Sequence, residues 1–144
     1  MKAKSGMRAA AWALLVIGYT AAFAATPQDM LAGWEKAARA QDARFSGFSA
    51  QRGRELFNTK HGSEWSCASC HTPNPVQPGN HARTHKAISP LAPAGDARRF
   101  TDAAKVEKWF TRNCKDVLGR TCTPQEQGDV LAYLLTLKAE GGAR

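Results

Sequence analysis

Methionine is scarce in this chain of 144 residues, and all three copies (Met1, Met7 and Met30) lie in its first 30 positions. Cysteine is scarce too: four residues exclude a dense disulfide scaffold but leave room for a metal, a cofactor or a bridge. No strand-like alternation of useful length, internal repeat or low-complexity stretch is present. After position 24 no apolar run is long enough to span a bilayer. A composition of 43% apolar and 22% charged residues excludes a chain disordered by composition. The length fits one domain of ordinary size, or less if a targeting segment is removed.

Such a segment is legible at the start. Lys2, Lys4 and Arg8 form a positive beginning, an apolar run follows over positions 9–22, and Ala22-Phe23-Ala24 places small residues two apart, as a signal peptidase accepts. An uncleaved anchor helix competes with this, but the run is short for a span and Gly18 interrupts it. The expectation is a signal peptide over residues 1–24 and one domain over 25–144, exported to the periplasm and soluble after cleavage. Cleavage would remove three cations and no acids, so the net charge of +8 falls to +5. That is too little, and too scattered, for a nucleic-acid partner.

The rest reads as all-α with long loops. Thr26-Pro27-Gln28-Asp29 supplies a capping hydroxyl, a proline at the first helical position and an acid at the third, before Met30, Leu31, Trp34, Ala37 and Ala38 at helical spacing. A second helix runs from Ser49 to about Asn58, with Gly53 and Phe57 one turn apart; the pair suggests a close crossing with the last helix near Tyr133. Five prolines between positions 72 and 93 deny regular structure there, and so long a loop in a small domain usually wraps a bound group. Thr101-Asp102 opens a third helix whose Val106, Trp109, Phe110 and Asn113 share one face. Thr123-Pro124-Gln125-Glu126 is a capping box opening the last helix, with Val130, Leu131, Leu134, Leu135 and Leu137 as its apolar set and Tyr133 on a flank.

Cys67-Ala68-Ser69-Cys70-His71 is C-x-x-C-H, the attachment sequence for haem c. Two thiols three positions apart on one helical turn reach the two vinyl groups of one porphyrin, and the next residue sets an imidazole under the iron. A redox dithiol would want a strand before the motif and a βαβ frame. A zinc site built from Cys67, Cys70, Cys114 and Cys122 would span an unusual 43-residue gap. One covalent haem, with His71 as the fifth iron ligand, is the reading that fits.

Electron-transfer cytochromes usually take the sixth ligand from a downstream methionine or a second histidine. No methionine follows Cys67. The candidates are His81 and His85 in the proline-rich loop, Asn113, a lysine, or nothing. At Asn113 two readings stand side by side, a satisfied helix cap and an iron ligand.

Further segments carry a resemblance. Ile88-Ser89-Pro90-Leu91-Ala92-Pro93, Arg99-Phe100-Thr101-Asp102, the stretch KVEKWFTRNC ending at Cys114, Asp116-Val117-Leu118-Gly119-Arg120 and Cys122-Thr123-Pro124 resemble the sphaeroides haem protein type, the oxygen-binding monohaem cytochromes c. The resemblance runs over about residues 26–137, and 88–123 is its specific part. It implies that Asn113 is the sixth ligand of the oxidised haem and that Cys114 is disulfide-bonded to Cys122. It implies that Asn113 departs on reduction, so that O2 or NO can bind. It also implies an electron donor that is itself a haem protein, such as a diheme cytochrome c. Trp109 and Phe110 would then form an apolar wall beside the ligand, with ordinary core packing as the competing reading. Pro90 resembles the position at which many cytochromes c offer a proline carbonyl to the second nitrogen of the haem-ligating histidine.

Three functions remain in competition: a gas-binding cytochrome reduced by another protein, a plain electron carrier with a closed haem, and a haem enzyme acting on O2, NO or peroxide. For the enzyme the sequence offers no clear acid–base pair.

Overall fold

Side-chain caps set where the helices begin. In the computed structural model, which describes residues 25–62 and 64–139, Thr26 and Asp29 form a reciprocal capping box at the start of α1 (Pro27–Gln41). The Ser49 hydroxyl accepts from Arg52 N at the start of α2 (Ala50–Asn58). A single turn, α3 (Ala68–His71), follows. In the Thr101-Asp102 pair the cap is Asp102, which accepts from Lys105 N and opens α4 (Ala103–Leu118). Gly119, at φ +69°, ends that helix in the left-handed conformation that glycine adopts without a Cβ clash. Thr123 and Glu126 close a second capping box ahead of α5 (Pro124–Thr136). The expected signal peptide, residues 1–24, lies outside the described residues.

The architecture is all-α. The proline-rich stretch is not wholly irregular: β1 (Gly79–Asn80) and β2 (Ala87–Ile88) pair antiparallel, Gly79 opposite Ile88 and Asn80 opposite Ala87. Two residues per strand leave no periodic trace in a sequence.

α2 crosses α5 at the point marked by Gly53, where any Cβ would strike the carbonyl of Asp129. Phe57, one turn later, is fully buried with its ring centroid 5.6 Å from that of Tyr133. Asp129 ties the same crossing: it is buried, takes two hydrogen bonds from Arg52 (2.7 and 2.9 Å) and accepts a third from Ser49 N (2.6 Å). A carboxylate removed from water needs such partners. Leu131 and Leu134 are also fully buried, each contributing about 2 kcal/mol by area removed from water. Trp34 of α1 meets Phe110 of α4 edge-to-face at 5.3 Å, drawing α4 onto the same core.

Candidate haem site

The haem motif folds as one turn. Cys70 N and His71 N both donate to the Cys67 carbonyl (3.2 and 3.0 Å), and Ser69 Oγ accepts from Ser66 N at 2.9 Å, so both thiols hang from a closed loop of backbone. Cys67 and Cys70 are free and half-buried. Burial pushes the Cys67 thiol up to about 11, and Ala82 N donates to Cys70 Sγ at 3.2 Å. Gly79 of β1 packs flat on the Cys70 carbonyl, leaving no space for a Cβ. Thr72, at φ +63°, turns the chain away from the motif, a conformation that a β-branched residue adopts only under constraint.

His71 is the unusual group. Its Nδ1 is buried with no hydrogen-bond partner, and burial first, then the positive charge of Arg99, pushes the imidazole down to about 4. A neutral imidazole is the form a metal takes as ligand. With two free thiols on the same turn, these residues fit a haem c. The expected bond from His71 to Pro90 is not formed: the Pro90 carbonyl accepts from Arg99 Nε at 2.6 Å, which sequence reasoning missed.

On α4, Asn113 is half-buried, and among the described residues its side chain makes no hydrogen bond. The cap reading fails, because the helix runs five residues further and ends at Gly119. The next residue, Cys114, is disulfide-bonded to Cys122 with their Cα atoms 5.6 Å apart. That bond also removes the four-cysteine zinc reading. Phe110 packs between Trp34 and Phe100. Trp109 is 44% exposed on the protein chain, with the Arg112 guanidinium 5.7 Å from its ring centre. Cys67 and Ala68 on one side and Val106 and Phe110 on the other pack against the same core cluster.

The loop histidines have local roles. His81 Nδ1 accepts from the backbone N–H groups of Arg83 and Thr84, closing the turn between β1 and β2, and His85 is exposed at φ +56°. An open cavity of about 990 Å³ runs along α2 and the end of α5, lined by Arg54, Asn58 and Tyr133 among others, but none of Cys67, Cys70, His71 and Asn113 borders it.

A helical domain with two thiols and a neutral buried imidazole on one turn is a monohaem c-type cytochrome, and its cofactor is haem c. Residues 43–134 match a family described as a domain of unknown function, DUF1924. The cytochrome c-type protein SHP of Cereibacter sphaeroides is 45% identical over 113 residues, covering 76% of this chain and 82% of that one. The structure of oxidised SHP, an oxygen-binding cytochrome c, superposes with a TM-score of 0.69 at 43% identity, over 77% of this chain and 96% of that one. Cytochrome c'' of Methylophilus methylotrophus is 51% identical over 80 residues, a stretch that spans 56% of each chain. Its solution structure, which bears on the structural basis of haem-ligand detachment in that protein, has a TM-score of 0.69 at 37% identity over 77% of this chain and 93% of that one. The chain belongs to the SHP family of c-type cytochromes.

Proposed function

We propose that this is a periplasmic cytochrome that accepts an electron from a partner haem protein, of the diheme cytochrome c kind, and then binds O2 or NO at its haem. Thioethers at Cys67 and Cys70 hold the group, His71 is the permanent iron ligand and Asn113 the displaceable one. Haem c, when bound, supplies a one-electron couple and a coordination position for a diatomic molecule. The observation that carries the reading is the Asn113 side chain, half-buried in mid-helix with its amide open to solvent and bonded to no other described residue. An amide oxygen is hard, neutral and weakly basic, so it holds ferric iron better than ferrous. Asn113 would thus be the ligand to yield on reduction of a bound haem, while the Cys114–Cys122 bridge would hold its backbone in place. The oxygen binding of SHP and the ligand detachment of cytochrome c'' support the same reading for this chain. No described helix is long and apolar enough to cross a membrane.

Carbon monoxide added to the reduced protein is the test. Fast and complete binding is expected, and Asn113→Ala should leave the oxidised haem five-coordinate. A closed six-coordinate ferrous spectrum that ignores carbon monoxide would leave the plain electron carrier standing instead.

A further inference from the structure

Arg99 occupies the turn before α4, its side chain only 27% exposed. Nε donates to the Pro90 carbonyl at 2.6 Å and an Nη to the Ser89 carbonyl at 2.7 Å, a fork across two consecutive peptide oxygens. Its acidic neighbour Asp96 stands off at 3.9 Å and takes hydrogen bonds from Arg98 at both carboxylate oxygens (2.9 and 3.1 Å), so the Arg99 charge is only loosely compensated. The same segment is held from the other side. The Pro75 carbonyl accepts from Leu91 N and Ala92 N, both at 2.9 Å, and a Cβ on Gly95 would strike the Val76 carbonyl. Phe100, buried at φ +60°, fixes the chain as it leaves Arg99.

We infer that Arg99 is a positioning residue of the haem site: its guanidinium fixes the Ser89-Pro90 peptide near His71 and keeps a positive charge there, which favours the reduced iron. Two effects run in one direction. A proline carbonyl that already accepts from Arg99 is a poorer acceptor for the His71 ring, so the imidazole donates less electron density to a metal. A fixed cation also stabilises whichever state carries the extra electron. Ser89 follows Ile88, whose strand partner Gly79 lies against the backbone of Cys70 and His71, so the peptide held by Arg99 runs on directly from a strand packed on the haem-binding turn. The inference deepens the proposed function and rests on its assignment of His71 as iron ligand.

The experiment is a redox titration of the purified holoprotein, with haem content read by pyridine haemochrome and fold by circular dichroism. Arg99→Gln should keep haem and fold, while its ferrous-to-ferric ratio at a fixed ambient potential falls about fivefold. Arg99→Lys, which keeps the charge, should stay within about twofold of the wild type. A haem-loaded Arg99→Gln protein with an unchanged ratio overturns the inference alone, as does an Arg99→Lys protein that falls equally far. Absence of haem from the wild type would overturn the proposed function with it. Should Arg99→Gln not fold, Asp96→Asn carries the test: with less counter-charge beside Arg99 the ratio should rise about twofold, and no rise overturns the inference.

Discussion

The turn that carries Cys67, Cys70 and His71 and the helix that carries Asn113 differ in how their polar atoms are tied. Around the turn the backbone carbonyls are tied, Cys67 O and Pro75 O by backbone N–H groups and Pro90 O and Ser89 O by Arg99, and Gly79 seals the outside of Cys70, so His71 is held by its backbone although its ring Nδ1 has no partner. On α4 the Asn113 amide is tied to nothing among the described residues, and what fixes it is the covalent bond one residue later. The first arrangement suits a ligand that must stay. The second suits one that must leave and return, since a free amide has no protein bond to break and a bridged backbone limits its travel.

The largest expected effect breaks the turn. Gly79→Val forces a branched side chain into the Cys70 carbonyl, where backbone on both sides cannot retreat. A destabilisation of about 3 kcal/mol is expected from such overpacking, with reduced haem incorporation. Thermal melting and haemochrome content of the purified protein check this; a wild-type melt would show that the turn is not the rigid side.

The second prediction loosens the helix without touching the turn. Replacing Cys114 and Cys122 together by Ser opens a loop of sequence separation 8 and should cost about 2.5 kcal/mol of stability. Haem content should hold while carbon monoxide binds the reduced protein faster, because Asn113 swings further. Equal loss of haem would mean that the two sides are not separable.

The parts of this contrast visible in the sequence are local in the chain. Caps at Thr26, Ser49, Asp102 and Thr123 are read within four residues of themselves, and each begins a helix where expected. Gly53, Phe57 and Tyr133 announced the α2–α5 crossing because only a residue without a side chain permits it. The haem motif is five consecutive residues, and the Cys114–Cys122 pairing, implied by the family resemblance, is present in the structure. What stayed hidden depends on bonds that leave no pattern. Arg99 reaches a carbonyl nine residues back, and any residue type supplies a carbonyl. Trp109 shares helical spacing with Val106 and Phe110, but spacing alone does not tell that the Arg112 guanidinium lies across its ring. Asn113 resembled a cap only while the helix end was unknown; five more residues and Gly119 settle that.

The smallest effect sharpens the contrast by removing a second tether over the bridged loop. Arg120 donates to both carboxylate oxygens of Glu126 (2.8 and 2.7 Å), and Glu126 also accepts from Thr123 N at 2.8 Å. The Arg120 hydrogen bonds, ahead of a smaller opposing effect of burial, hold the Glu126 carboxyl below its ordinary 4.5. A folded-state value below the unfolded one means that the ionised form is the stabilising form. Its contribution is full above about pH 4.5, the unfolded value, and fades as pH falls through the lower folded value. Half-exposed as the pair is, Glu126→Gln should cost only about 0.5 kcal/mol at pH 7, less in high salt. The difference from wild type should vanish toward pH 3, roughly a unit or more below the ordinary glutamate value. Denaturant titrations at both pH values measure it. A difference that stays constant across that range would assign the loss to the cap geometry at Thr123 rather than to the charge.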